Sequence, residues 1–209
     1  MSAPPARPGA PRIVFVFSGH RVDAPGRQPP RFPLWLVPQA QEAIGRALDD
    51  ARAGPHDLAL TQGAAGGDLL FAEACMARGV PLRLLLPLPE PRFLEVSVRA
   101  SEGHWEARYA ALRARLDADP QVIAGPGGNP GEDEAFARCN VALLDAAFGA
   151  GSPDVRLICL WDGEPGDGPG GTDHMVGEVR RRGGAVAWID ARELLARSRP
   201  SGSPAPTAP

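Results

Sequence analysis

Residues 155–178, VRLICLWDGEPGDGPGGTDHMVGE, hold the pattern that decides the fold. The opening VRLICLW is apolar almost throughout, the composition of a strand covered on both faces rather than one with a wet side. A glycine-rich turn follows, and a helix is expected over 172–182. A strand feeding a helix through such a turn is half of a β–α–β unit. The turn also leaves backbone N–H groups unpaired at the positive end of the helix, where a phosphate or another anion is held.

The same grammar runs through the rest of the chain. IVFVF at 13–17 is a second continuously apolar strand, ending at Ser18-Gly19-His20. The Pro/Arg-rich connection that follows, 21–38, is too long for a simple strand-to-helix turn and reads as a binding loop. Ile44, Leu48 and Ala51 mark a helix over 39–53, stopped by Gly54-Pro55. A strand over 57–61 breaks at Gly63, a helix over 67–78 carries Leu70, Ala74 and Ala77 on one face, and PLRLLL at 81–86 is the next strand. Residues 91–100 fit either helix or extended chain. Trp105, Tyr109, Leu112 and Leu116 make 103–116 an amphipathic helix. An inner strand is expected over 121–124, and a helix over 133–148 with Phe136, Cys139, Leu143 and Ala147 in one stripe. AVAWI at 185–189 closes the sheet, with a short helix over 191–197.

The expected fold is therefore α/β, a doubly wound, mainly parallel Rossmann-like sheet of about five to six strands with helices on both faces. Right-handed crossovers gather the loops after the strands along one edge, where ligands bind. At 209 residues one domain over 12–198 is expected, between Pro-, Ala-, Ser- and Gly-rich tails at 1–11 and 199–209 that bury too little surface to order.

Hydrophobic residues make up 44% and charged residues 22%, enough to build a core without metals or disulfides. The formal charge of −3 argues against a surface that coats long nucleic acid. All 22 basic residues are Arg, a mark of GC-rich coding rather than of mechanism. Cys75, Cys139 and Cys159 are widely spaced among apolar neighbours, which suits buried free thiols in a reducing cytoplasm and neither a zinc site nor a disulfide framework. No apolar run reaches membrane-spanning length and the first residues lack the apolar core of a signal peptide, so the expected location is cytoplasmic.

Three glycine-bearing turns follow apparent strands: Ser18-Gly19-His20, TQGAAGGD at 61–68, and Gly168-Pro169-Gly170-Gly171-Thr172. Glycine lets backbone approach phosphate oxygens without a Cβ clash, and Thr172 adds a hydroxyl to the helix dipole. Gly63, Gly66, Gly67, Gly170, Gly171, Thr172, Ser18, Gly19 and His20 are the expected ligand and phosphate contacts, with Asp68 as a helix cap or a ribose hydroxyl acceptor. No Gly-Lys-Ser/Thr follows any turn, and none of the turns is read as the usual dinucleotide-binding one.

The TQGAAGGD turn opening a helix, with PGGT at 169–172, resembles the SLOG superfamily. That group joins LOG-type cytokinin-activating phosphoribohydrolases, DprA-like DNA-processing proteins and sensor domains of bacterial conflict systems. The resemblance covers roughly residues 13–190 and rests on the order of motifs. It implies a Rossmann-like fold, a nucleotide or nucleotide-derived small molecule as partner, and a homodimer. The LOG pattern PGGxGTxxE places a catalytic Glu three residues after the Thr, where this chain has Met175. A thioether stabilises no developing positive charge. A carboxylate in a shifted register would be Asp173 or Glu178, with Arg138, which shares its helix with Asn140, as the cationic partner.

Each of these residues has a plainer reading as well: Asp173 as an acid at a helix start, Glu178 and Arg138 as solvated helix faces, His20 as a turn cap. Trp105, Tyr109 and Trp188 are expected in the core rather than stacked on a base. His20, His56, His104 and His174 show no metal-ligand spacing, and neither a metal nor a cofactor is expected. Three functions remain: a nucleotide-binding sensor or regulatory domain, an N-glycosidic hydrolase of nucleotides, and an interaction module with a vestigial pocket.

Overall fold

The computed structural model describes residues 9–123, 131–164 and 171–198. Gly170 and most of the glycine turn before it, like nearly all of both expected tails, lie outside these residues.

Six strands form one sheet in the order β4-β3-β2-β1-β5-β6. They are β1 (Val14–Gly19), β2 (Leu58–Thr61), β3 (Leu82–Leu86), β4 (Gln121–Val122), β5 (Val155–Trp161) and β6 (Ala185–Asp190). Every neighbouring pair is parallel. Helices α1 (Val37–Asp50), α2 (Gly67–Ala77), α3 (Glu90–Phe93), α4 (Trp105–Arg113), α5 (Glu132–Gly149), α6 (Thr172–Arg181) and α7 (Ala191–Ser198) make the crossovers and the final cover.

The uninterrupted apolar run of β1 has a direct cause. Side chains alternate across a strand, and both faces of this one are buried. Phe15 and Phe17 join Ile44 and Leu48 of α1, Phe71 of α2 and Trp105 of α4 in one core. Val14 and Val16 point the other way, into a second core with Cys139 and Leu143 of α5 and Met175 and Val179 of α6. Met175, at the position where the LOG pattern has its carboxylate, is thus fully buried packing. Helix α2 reads as apolar on all sides because Leu69, Leu70, Phe71 and Ala72 are all buried. The doubly wound Rossmann-like arrangement follows from these two cores.

Two expectations change, and one left open is settled. The inner strand over 121–124 is a two-residue edge strand with both residues exposed; with a partner on one side only, nothing covers it. Residues 91–100 become helix: α3 runs into a six-residue π-helical stretch, Leu94–Arg99. Trp188 is 48% exposed on the edge strand β6, while Trp105 and Tyr109 are core as expected. All three cysteines are buried and free.

Candidate functional site

The chain leaves β1 toward β2 on one side, whereas β5 joins β1 on the other, so the connections after β1 and β5 go to opposite faces of the sheet. A crevice at the carboxyl ends of the strands results, the usual place for a ligand in an open α/β sheet. The cleft of about 560 Å³ that opens here is lined by the ends of β1, β2 and β5, the first turns of α5 and α6, and the loop after β1.

On the β5 side, Gly171 precedes α6 in an extended conformation and, among the described residues, no side chain caps the helix. Ser18 Oγ, at the end of β1, is hydrogen bonded to Thr172 Oγ1 at 3.0 Å. Gly19 is required by the sheet: a Cβ there would stand 2.7 Å from the Leu160 carbonyl oxygen. Gly171, Thr172, Ser18, Gly19 and His20 all line the cleft, so two hydroxyls and the positive end of a ten-residue helix face one space.

The loop after β1 forms the roof and is pinned at several points. Asp23 Oδ2 accepts the amides of Arg31 (3.0 Å) and Phe32 (3.1 Å), and Arg27 lies 3.6 Å from the same carboxyl. Arg31 donates to Asp162 Oδ2 at 2.9 Å, just past β5. The Asp162 amide donates to His20 Nε2 at 3.1 Å. Burial pushes the His20 pKa down to about 4, against the pull of the Asp162 carboxylate. The ring is therefore neutral at pH 7, and with Nε2 accepting, its proton sits on Nδ1. Arg21 donates to the Val96 carbonyl of the π-helical stretch at 2.6 Å, tying the roof to that wall. Arg21, Arg27 and Arg31 all line the cleft.

The TQGAAGGD turn serves packing. Gly66 has φ +100°, and a Cβ on it would lie 2.6 Å from the Val22 amide; one on Gly67 would lie 2.7 Å from the Phe17 ring. Gly67 N–H donates to the His20 carbonyl at 3.2 Å. Gly63, at φ +87°, packs toward Tyr109 and Leu84. None of these three glycines lines the cleft, and the positive end of α2 is occupied by the chain's own carboxylate. Asp68 Oδ1 accepts the Thr61 hydroxyl at 2.5 Å and the Gln62 amide at 3.3 Å. Burial raises the Asp68 pKa to about 6 despite those hydrogen bonds. Asp68 thus ties the strand-to-helix turn together rather than capping α2, whose N-cap is Gly66, and its side chain also reaches the cleft floor.

Asp173, Glu178 and Arg138 stand apart from the cleft. Asp173 is exposed on the first turn of α6. Glu178 is bound by Arg181 at 2.6 Å and Arg182 at 3.5 Å, and the Arg181 hydrogen bond is the main reason its pKa falls to about 2. Arg138 meets Glu134 at 3.4 Å, and its buried Nε has no partner. Residues that the sequence did not single out take their place: Gln62, Phe136, Trp161, and the Arg31–Asp162 pair. The Arg-rich loop was a legible signal for the last of these; nothing local marks Gln62. Among the described residues no group of three or more His, Cys, Asp or Glu side chains is placed to hold a metal ion, and no helix is long and apolar enough to cross a membrane.

No family model matches the chain, and no curated protein does. One solved structure, described as that of the Moco Carrier Protein from Chlamydomonas reinhardtii, is 16% identical, with 89% of this chain and 99% of that chain covered. The TM-score is 0.30, a likeness that carries no functional weight.

Proposed function

We propose that this chain binds a phosphorylated, nucleotide-derived small molecule at the β1/β5 crevice, as a sensor or regulatory domain. The observation that carries the reading is the convergence on one cleft of the uncapped α6 N-terminus with the Ser18–Thr172 hydroxyl pair. Amides and hydroxyls there offer donors to phosphate oxygens, and the helix dipole favours the negative charge. Arg27 and Arg31, on the roof, line the same space, each beside a carboxylate, Asp23 and Asp162. His20, neutral, contributes a donor rather than a charge. Binding is favoured over hydrolysis because neither Asp173 nor Glu178 reaches the cleft, and Met175 is core.

Thr172→Pro tests the phosphate end. Thr172 is the first residue of α6 and Gly171 before it is extended (φ −62°, ψ 178°), so proline fits both positions while removing one N–H and the hydroxyl. Wild type should gain thermal stability with inorganic phosphate and nucleoside monophosphates, by about 2.7 kcal/mol at a hundredfold excess over Kd. The variant should unfold at the same temperature as wild type without ligand and lose most of the gain. A full ligand shift in the variant, or none in wild type, would overturn the reading. Free base released from a nucleoside monophosphate, seen by chromatography, would replace it with a hydrolase.

A further inference from the structure

The other half of the cleft has the opposite chemistry. Its described residues from β2, α2, α5 and the turn between β2 and α2 include the carboxylates Asp68, Glu132 and Asp133 and the amides Gln62 and Asn140, with no cation. Glu132 is ion-paired with Arg92 at 2.6 Å, and the remaining carboxylates offer a phosphate no partner. Extending the β1–β2 register two residues past Val16↔Leu60 sets Gln62 beside Ser18, one strand spacing away and on the side opposite Thr172. The cleft thus runs from an anion-receiving end, across Ser18, to an acceptor-rich end.

Gln62 makes that second end specific. It is only 9% exposed, its amide N–H is spent on Asp68, and its Nε2 donates to Asn140 Oδ1 at 2.7 Å. Oε1 accepts no hydrogen bond among the described residues and is not closed off from solvent, so it opens on the cleft that Gln62 lines. A carbonyl oxygen in that position accepts from a ligand N–H. Phe136, one helical turn before Asn140 on α5, is half-buried and gives the same space an aromatic surface.

We propose that the α5 side of the cleft is a base-recognition end that takes a planar nitrogen heterocycle carrying an amino group. Gln62 Oε1 accepts from the exocyclic amine and Phe136 stacks on the ring. This rests on the phosphate-end reading above, and it narrows the ligand to one with an anion at one end and an N–H-rich flat ring at the other.

Isothermal titration of the full chain with AMP and with purine riboside monophosphate, which lacks only the amino group, tests it. AMP should bind about tenfold more tightly, the value of one well-placed hydrogen bond. Gln62→Met, similar in length and without the acceptor, should bring the two affinities within about twofold by weakening AMP alone. Phe136→Ala should weaken both nucleotides and keep their ratio, which separates stacking from hydrogen bonding. Equal affinities in wild type, or a ratio that survives Gln62→Met, would overturn the base end while leaving Thr172-dependent binding intact. Binding of inorganic phosphate with neither nucleotide would also overturn it. Failure of phosphate and both nucleotides together would remove the phosphate end as well.

Discussion

His20 and Asp68 are two buried titratable groups whose shifts oppose one another across the same pH window. His20 falls from its ordinary 6.5 to about 4, so between those values the unfolded chain holds the extra proton and stability rises with pH. Asp68 rises from 3.8 to about 6, so between those values the folded protein holds it and stability falls as pH rises. Each shift of a little over two units corresponds to about 3 kcal/mol, and in wild type they largely cancel between pH 4 and 6. Denaturant unfolding should therefore show a shallow pH dependence there. His20→Asn should uncover the Asp68 slope, with stability greater at pH 4 than at pH 6.5. Asp68→Asn should uncover the opposite slope. Two variants with parallel profiles would refute the pairing. At this scale the sequence marked both residues as candidate ligand contacts and left their roles open, because desolvation depends on what the rest of the chain piles around them; the fold sets both at the cleft.

Among the elements, the TQGAAGGD turn and the start of α6 look alike in sequence and do different work. Both are glycine-bearing starts of helices after parallel strands. At α2 the dipole faces the Asp68 carboxyl, and the glycines exist so that the exit of β1 can lie on the turn. At α6 no side chain among the described residues caps the helix, and the first turn opens on the cleft. Gly66→Ala should accordingly damage folding, not binding. Its positive φ and the 2.6 Å approach to Val22 predict a loss of roughly 2–4 kcal/mol in urea unfolding. The affinity for nucleotide of the fraction that stays folded should be unchanged. A Gly66→Ala protein as stable as wild type but unable to bind would return the turn to the phosphate site. The π-helical stretch Leu94–Arg99 belongs here too: its Val96 carbonyl, bonded to the Arg21 guanidinium, couples the roof loop to that wall.

For the whole molecule, the central position of β1 organises both cores and the site together. Phe15, fully buried in the first core, should cost about 3–5 kcal/mol when cut to Ala. Because it does not line the cleft, calorimetry should show the affinity for the proposed ligand retained in the folded protein; lost affinity at full folding would mean that core and cleft are coupled. Most of the fold was legible because a parallel strand buried on both faces must be apolar throughout, as in IVFVF and VRLICLW, and because helices between such strands carry a period of 3.6. Edges were misread: two exposed residues at β4 and Trp188 on β6 carry the same residue types as inner strands, and only neighbours decide which positions are covered. The sequence by itself determined the alternation of strands and helices, the crevice expected at the strand ends, and Ser18, His20 and Thr172 as residues near it. Only the tertiary structure decided the strand order, the filling of the α2 N-terminus by Asp68, the removal of Glu178 into an arginine clamp, and the meeting of Gln62 with Asn140 and Phe136. The physical reason is reach: periodicity and turn chemistry act over a few residues, whereas burial and unpaired hydrogen-bonding groups arise from contacts between segments dozens of residues apart.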